Sequence, residues 1–474
     1  MKRVILVFLL LLYQYSVSAQ AYYFEKIFGN SGTDAGRSVK QLSNGFVYVA
    51  GYSSQGAHGG TDFTLCKLDK SGNLLWMNFF GDALNNYGLC LNTCLDGNLI
   101  LSGETETSAN GKDAFLCKID TSGNLIWYHT YGDSTNQSFH FSEATVDGGY
   151  ISCGFTTDNN NSNNYFILKS DSLGNQLWTV NYGGSLNDYA DMIHETVNGG
   201  FIITGDTNSD GSGGYDVEVL KLDSLGGLVW DSLYGDHFNN GCQGIIILKK
   251  GGYAIYGETE TAASPGFDFF IRFIDTSGNT MNLKTFGGTG TDALFSLLEN
   301  ADGSFAFTGY SNSYNLGPLD LVIGKTDSVA NMQWIQSYGA GGIDIGYQII
   351  HAADSGYLVI GNTFQNASDD FYLLQVNDSG KVIGIKEAYP KNINVSLFPN
   401  PSNGLFTVSA PFASGSKIHL QLFSIDAVCV LLQDVTLTNN SLTINLTNIP
   451  QAGIYFLRLY NDKINCYSKV CIQK

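Results

Sequence analysis

The sequence predicts an all-β protein, a seven-bladed β-propeller followed by a small Ig-like β-sandwich, and three observations predict it. The first is a long-period repeat. All five tryptophans, Trp76, Trp127, Trp178, Trp230 and Trp334, fall at one position of it, with Asn282 and Gly384 at two weaker copies; the steps between them are 51, 51, 52, 52, 52 and 50 residues. The second is that each copy divides into four short segments of strand character, and four antiparallel strands in about 50 residues is the unit of a propeller blade. The third is a break in composition. From residue 390 onward stand five of the seven prolines but only three of the 56 glycines, and the repeat stops there.

Within a copy the first segment starts at a polar residue after a Phe-Gly or Tyr-Gly pair, as in DAGRSVKQLS from Asp34. The second opens with Asn/Asp-Gly, as in NGFVYVAGYS from Asn44, and the third is framed by carboxylates, as in DFTLCKLD from Asp62. The fourth is the tryptophan segment, introduced by Asp-x-x-Gly-Asn, as in DTSGNLIWYHTYGD from Asp120. Apolar residues tend to alternate, which is strand period, and Gly, Asn, Asp and Ser bound each segment. The stretch YYFEKIFG, Tyr22 to Gly29, aligns with a fourth segment but precedes the first full copy, whereas the last copy, KVIGIKEAYP, lacks its tryptophan. This predicts that the N-terminal stretch supplies the outer strand of the seventh blade and closes the ring.

The chain opens MKRVILVFLLLLYQYSVSAQ, two basic residues, an apolar run and Val17-Ser18-Ala19. That pattern predicts a secretory signal over residues 1–19, too short for a comfortable membrane span, so the mature chain is expected to carry no transmembrane segment. The expected division is thus signal peptide 1–19, propeller 20–390 and C-terminal domain 391–474. A net charge of −19 argues against nucleic acid or an anionic membrane as partner, because both require a basic face. Nine cysteines, an odd number without CxxC spacing, cannot all pair within one chain; Cys66 and Cys117, at one repeat position on strands, read as small buried hydrophobes rather than a redox or metal site.

The D-x-F-x-x-K-x-D and D-x-x-G-N-x-x-W elements resemble those of bacterial surface β-propeller-repeat proteins over about Tyr22 to Tyr389. The tail resembles the C-terminal sorting domain of type IX secretion cargo, through Phe398-Pro399-Asn400-Pro401, Asn403-Gly404, the Gly453-Ile454-Tyr455 strand and a final strand through Lys469 and Lys474. That resemblance implies the type IX machinery and a sortase-like protease as partners, passage through the periplasm, and a secreted or outer-surface destination.

Candidates for catalysis are few. The seven histidines occupy different repeat positions and show no metal-ligand spacing, so no metal and no cofactor is expected. Aspartates are abundant, but they recur in every copy, as turn-formers must and a catalytic residue would not. One recurring set stands ten residues before each second segment: Asp34, Asn86, Gln137, Asp188, Asn240, Asp292 and Asp344. With the first strand innermost these would ring one mouth of the channel as binding residues; alternatively each bonds its own loop, as Asx side chains do. The connections between second and third segments differ in every copy and are rich in Asn, Ser and Gly, which points to recognition of a glycan or protein on that face. A polysaccharide-degrading enzyme and a structural surface component are the alternatives.

Overall fold

The computed structural model describes residues 23–382 and 396–473, less short stretches: residues 30–31, 57, 109–110, 212–213, 262–263, 315–317, 340–341 and 366–367, and the turns of the tail. The expected signal segment and the expected boundary near residue 390 lie outside the described residues. The chain divides into two compact units, Met1–Ile383 and Gly384–Lys474.

Seven antiparallel four-stranded sheets make up the first unit. In blade one the strands are β2 (Asp34–Gln41), β3 (Val47–Ser53), β4 (Asp62–Leu68) and β5 (Leu74–Phe80), in that spatial order. The turn chemistry follows from the sequence. In the Asp120 turn, Oδ1 accepts the N–H groups of Ser122 and Asn124 at 2.8 and 2.9 Å, while Asn124 Nδ2 donates to Oδ2. Gly123 supplies the positive φ of 90° that closes it. These hydrogen bonds, the Asn124 side chain's first, hold the Asp120 carboxyl below its usual range. The same turn recurs around Asp69, Asp171, Asp275 and Asp327.

Ring closure occurs as the sequence predicts. β1 (Phe24–Phe28) pairs with Phe371–Gln375, giving blade seven an N-terminal outer strand beside its strands Asp344–His351, Tyr357–Gln365 and Ser368–Val376. Phe28 stacks on Phe371 with ring centroids 5.1 Å apart, and the Tyr372 hydroxyl donates to Glu25 at 2.7 Å.

Consecutive blades interlock through the tryptophan. A methyl group added to Gly123, Gly174, Gly226, Gly278 or Gly380 would meet the ring of Trp76, Trp127, Trp178, Trp230 or Trp334 of the preceding blade at 2.5–3.2 Å. Phe24 of the closing strand takes the same place over Gly72. At the one interface without an aromatic the glycine is missing too: Asn282 faces a turn in which Ala330 adopts φ 63°, and its Nδ2 donates to Val329 O at 3.4 Å. Burying apolar surface between blades, about 25 cal/mol per Å², is what makes short strands sufficient. Buried Cys66, Cys117 and Cys153 belong to these inter-blade cores with free thiols, and burial pushes the Cys117 thiol well up.

The second unit has a three-stranded sheet (Ser396–Phe398, Leu405–Ser409, Ser441–Asn445) and a four-stranded one (Cys429–Thr436, Lys417–Ser424, Gly453–Tyr460, Asn465–Ile472). Phe406 and Val408 of the first share one core with Ile418, Leu420, Leu457 and Val470 of the second.

Candidate functional site

The first strands of neighbouring blades touch one another, so they line the axis of the ring. Each begins at one of the seven sequence-predicted residues. Asp34, Asn86, Gln137, Asp188, Asn240, Asp292 and Asp344 are all buried, at most 8% exposed. Each is registered opposite a Ser or Thr at the end of the second strand: Ser53, Thr105, Thr156, Thr207, Thr259, Ser311 and Thr363. That hydroxyl donates to Asn86, Asp188, Asn240 and Asp292, and the Gln137 amide donates to Thr156 at 3.0 Å. The remaining atoms hold the loops. Asp188 Oδ2 accepts the Gly184 N–H and the Ser209 hydroxyl, and Asp292 Oδ2 likewise accepts Gly288 N–H and the Ser313 hydroxyl. Asn86 Nδ2 and Asn240 Nδ2 donate to Leu84 O and Phe238 O. These side chains tie the incoming loop to the start of the variable loop.

The wall of the axial cavity comes from elsewhere, three residues further along. In every blade the pairing of first and second strands slips by one residue: at Arg37, Leu89, His140, Asp191, Gln243, Phe295 and Tyr347. A β-bulge leaves one residue unpaired and re-aims its side chain. All seven bulged residues line one cavity of about 220 Å³. The bulge is written into the repeat by the glycine opposite it. A methyl group on Gly51, Gly103, Gly154, Gly205, Gly257, Gly309 or Gly361 would sit 1.7–2.0 Å from the carbonyl oxygen two residues before the bulge, so only glycine fits. Sequence reasoning passed over the bulged set. Its signal was weak: seven different residues at one position, flanked by positions that vary as well.

The chemistry around the ring is uneven. On blade one the Arg37 guanidinium lies 4.0 Å over the Tyr347 ring and donates to the Tyr52 hydroxyl at 3.1 Å. Phe295 of blade six packs against Tyr347 and Tyr310, at 5.4 and 5.6 Å between centroids. Blades four and five are acidic. Asp191 stands 3.3 Å from His140 Nδ1 through Oδ1, while its buried Oδ2 has no hydrogen-bond partner. Beside it Asp206 accepts the Cys242 N–H at 2.6 Å, and Glu258 accepts Gln243 Nε2 at 3.3 Å with its own Oε2 unpartnered. Burial, reinforced by the Asp191 charge, pushes the carboxyls of Asp206 and Glu258 upward, Glu258 to about 7; burial also raises Asp191. Among the described residues no three His, Cys, Asp or Glu side chains converge as metal ligands would.

Comparison with known proteins bears on the tail directly. Residues 396–473 match the family model of the secretion system C-terminal sorting domain. The regulatory protein FlaEY of Caulobacter vibrioides is 23% identical over 218 residues, covering 36% of this chain; the match spans 23% of that relative's length. Among solved structures, the β-propeller domain of the Trilobed protease from Pyrococcus furiosus is 10% identical with a TM-score of 0.41, covering 75% of this chain and 99% of that one. Puromycin hydrolase is 10% identical with a TM-score of 0.49, covering 81% and 59%. With its repeated four-stranded blades and its matched tail, the chain is a β-propeller protein that carries a type IX sorting domain and is exported to the cell surface or beyond it.

Proposed function

We propose that the exported propeller is a non-catalytic binding module whose partner, a glycan or a protein surface rich in polar groups, docks on the face of the long second-to-third connections. The observation that carries this is a contrast between the two faces. The Asp-x-x-Gly-Asn turns repeat from blade to blade, whereas the long connections differ in every copy, from SSQGAHGG to TDNNNSNN to FQNASD. Variation on a rigid scaffold is where recognition usually sits. The loops are variable in sequence yet internally braced: in blade three Asp158 Oδ1 accepts Asn160 and Ser162 N–H groups, and Asn161 closes the turn at φ 63°. Asp34, Asn86, Gln137, Asp188, Asn240, Asp292 and Asp344 serve this face from behind, fixing loop geometry rather than touching the partner. A sortase-like protease removes the tail after export.

The test is a glycan-array and protein pull-down screen on the mature propeller, repeated with the Asp158–Asn164 and Ser209–Gly214 loops replaced by short Gly-Ser turns. Binding should vanish while the circular dichroism spectrum holds. Binding that survives those replacements would place recognition elsewhere. The opposite face, where Val146 and Val197 are 82% and 100% exposed, is then the next surface to alter. Hydrolysis of an array polysaccharide would instead favour the enzyme reading.

A further inference from the structure

The axial cavity holds opposite charges on opposite walls. Arg37 belongs to blade one, and Asp191 belongs to blade four, across a ring of seven. Each is turned inward by its own bulge and both line the cavity. Asp191 has a titratable neighbour, His140, whose Nδ1 lies 3.3 Å from Oδ1 and leaves Oδ2 free toward the cavity. Arg37 forms no ion pair with a carboxylate among the described residues, is held by two tyrosines, and its buried Nε has no hydrogen-bond partner. Asp369 feels it only at longer range. Asp191 Oδ2 and Glu258 Oε2 are buried without hydrogen-bond partners. Leaving a buried polar group unmatched costs about 1–3 kcal/mol, more when charged, and native structures rarely keep several together without a use. Among the described residues no ion pair joins the two sides: Arg37 is held by Tyr52 and Tyr347, and Asp191 by His140.

We propose that this cavity binds a small zwitterion, with its carboxylate at Arg37 and its ammonium at Asp191. The guanidinium fork suits a carboxylate, which it can engage through two parallel N–H bonds. Asp191, with the Gln243 amide of the next blade lining the same cavity, suits an ammonium, whose three donors need acceptors in more than one direction. Phe295 and Tyr347 line the wall between these poles on one side and suit the apolar stem joining the two charges. A metal ion fits poorly, since the carboxylates do not converge on one point. A simple amine or a simple carboxylate would leave one wall unmatched. The cavity lies on the axis and is built from strands, so this site is independent of the long-loop face.

Calorimetric titration of the mature protein with ω-amino acids of graded length (glycine, γ-aminobutyrate, 6-aminohexanoate) and with diglycine and triglycine tests it. Butylammonium, butyrate and glucose are the controls. The expected result is saturable one-to-one binding with an optimum chain length, at least tenfold tighter than either single-charge control. Arg37→Gln and Asp191→Asn should each weaken the best zwitterion by about 10–100-fold, the range of one charge-assisted contact. Asp191→Asn removes a buried carboxylate whose Oδ2 is unmatched and keeps a polar atom facing His140, so its melting temperature should not fall, which separates lost binding from lost folding. No saturable heat with any zwitterion, equal affinity for butylammonium, or unchanged affinity in both variants would overturn the proposal. The loop-replaced protein should bind the zwitterion as tightly as the parent; a failed glycan screen leaves this site untouched, and the reverse holds.

Discussion

The lock between blades is open to a quantitative test at Trp178 and Gly226. Gly226 closes the Asp223 turn at φ 84°, and a methyl group there would meet Trp178 Cζ3, Trp178 Cε3 and Val180 Cγ1 at 3.1–3.2 Å. Gly226→Ala therefore carries two costs. A left-handed conformation costs a residue with Cβ about 1–2 kcal/mol, and overpacking against the indole adds about 1–2 kcal/mol more. The sum is about 2–4 kcal/mol. Removing the indole should cancel most of the second cost. In a Trp178→Asn background, Gly226→Ala should lose only about 1–2 kcal/mol, leaving a coupling of about 1–2 kcal/mol in the double-mutant cycle. The protein already contains this double replacement, at Asn282 and Ala330 between blades five and six. The mirror experiment follows: Ala330→Gly should stabilise by about 0.5–1 kcal/mol, because it takes a Cβ-bearing residue out of the left-handed φ of 63°. Guanidinium unfolding followed by circular dichroism, with melting temperatures alongside, measures all five proteins. Additivity within about 0.5 kcal/mol, or destabilisation by Ala330→Gly, would refute the argument that ring and glycine form one unit.

Three further outcomes are expected. Glu258 binds more protons folded than unfolded between its ordinary 4.5 and about 7, so it subtracts stability as pH rises through that window. At about 1.4 kcal/mol per pH unit the loss is on the order of 3 kcal/mol. Glu258→Gln should thus raise the melting temperature at pH 8.5 and leave it nearly unchanged at pH 4.5, and an equal gain at both would contradict the assignment to ionisation. Deleting residues 21–28 removes β1 with buried Phe24 and the stacked Phe28, and should cost on the order of 5 kcal/mol in one cooperative transition, since closure couples first and last blades. Loss of a single blade's signal alone, seen by hydrogen exchange, would show that closure is not cooperative. Finally, a chain truncated after Asn392 should fold its propeller but stay in the periplasm, and its normal appearance outside the cell on fractionation would show that export does not need residues 396–473.

Much of this architecture was legible in the residues because its determinants are local. The 51- and 52-residue steps, the Asp-x-x-Gly-Asn turns and the alternating segments fix strands and turns within a few residues of themselves, and the early YYFEKIFG can pair with only one open edge. Other features depend on partners about one blade or more away. Whether Asp188 faces a ligand or its own Ser209 is decided by strand register, and the structure buries it. The side chains that line the axis are the bulged ones, and a bulge reverses the alternation that sequence reading relies on. The glycines at Gly205 and its equivalents were visible as part of the repeat. Their cause, a carbonyl oxygen 1.7–2.0 Å from where each Cβ would stand, exists only once the strands are paired. Arg37 and Asp191 share one cavity only because seven blades close into a ring, which brings together residues that no local pattern connects.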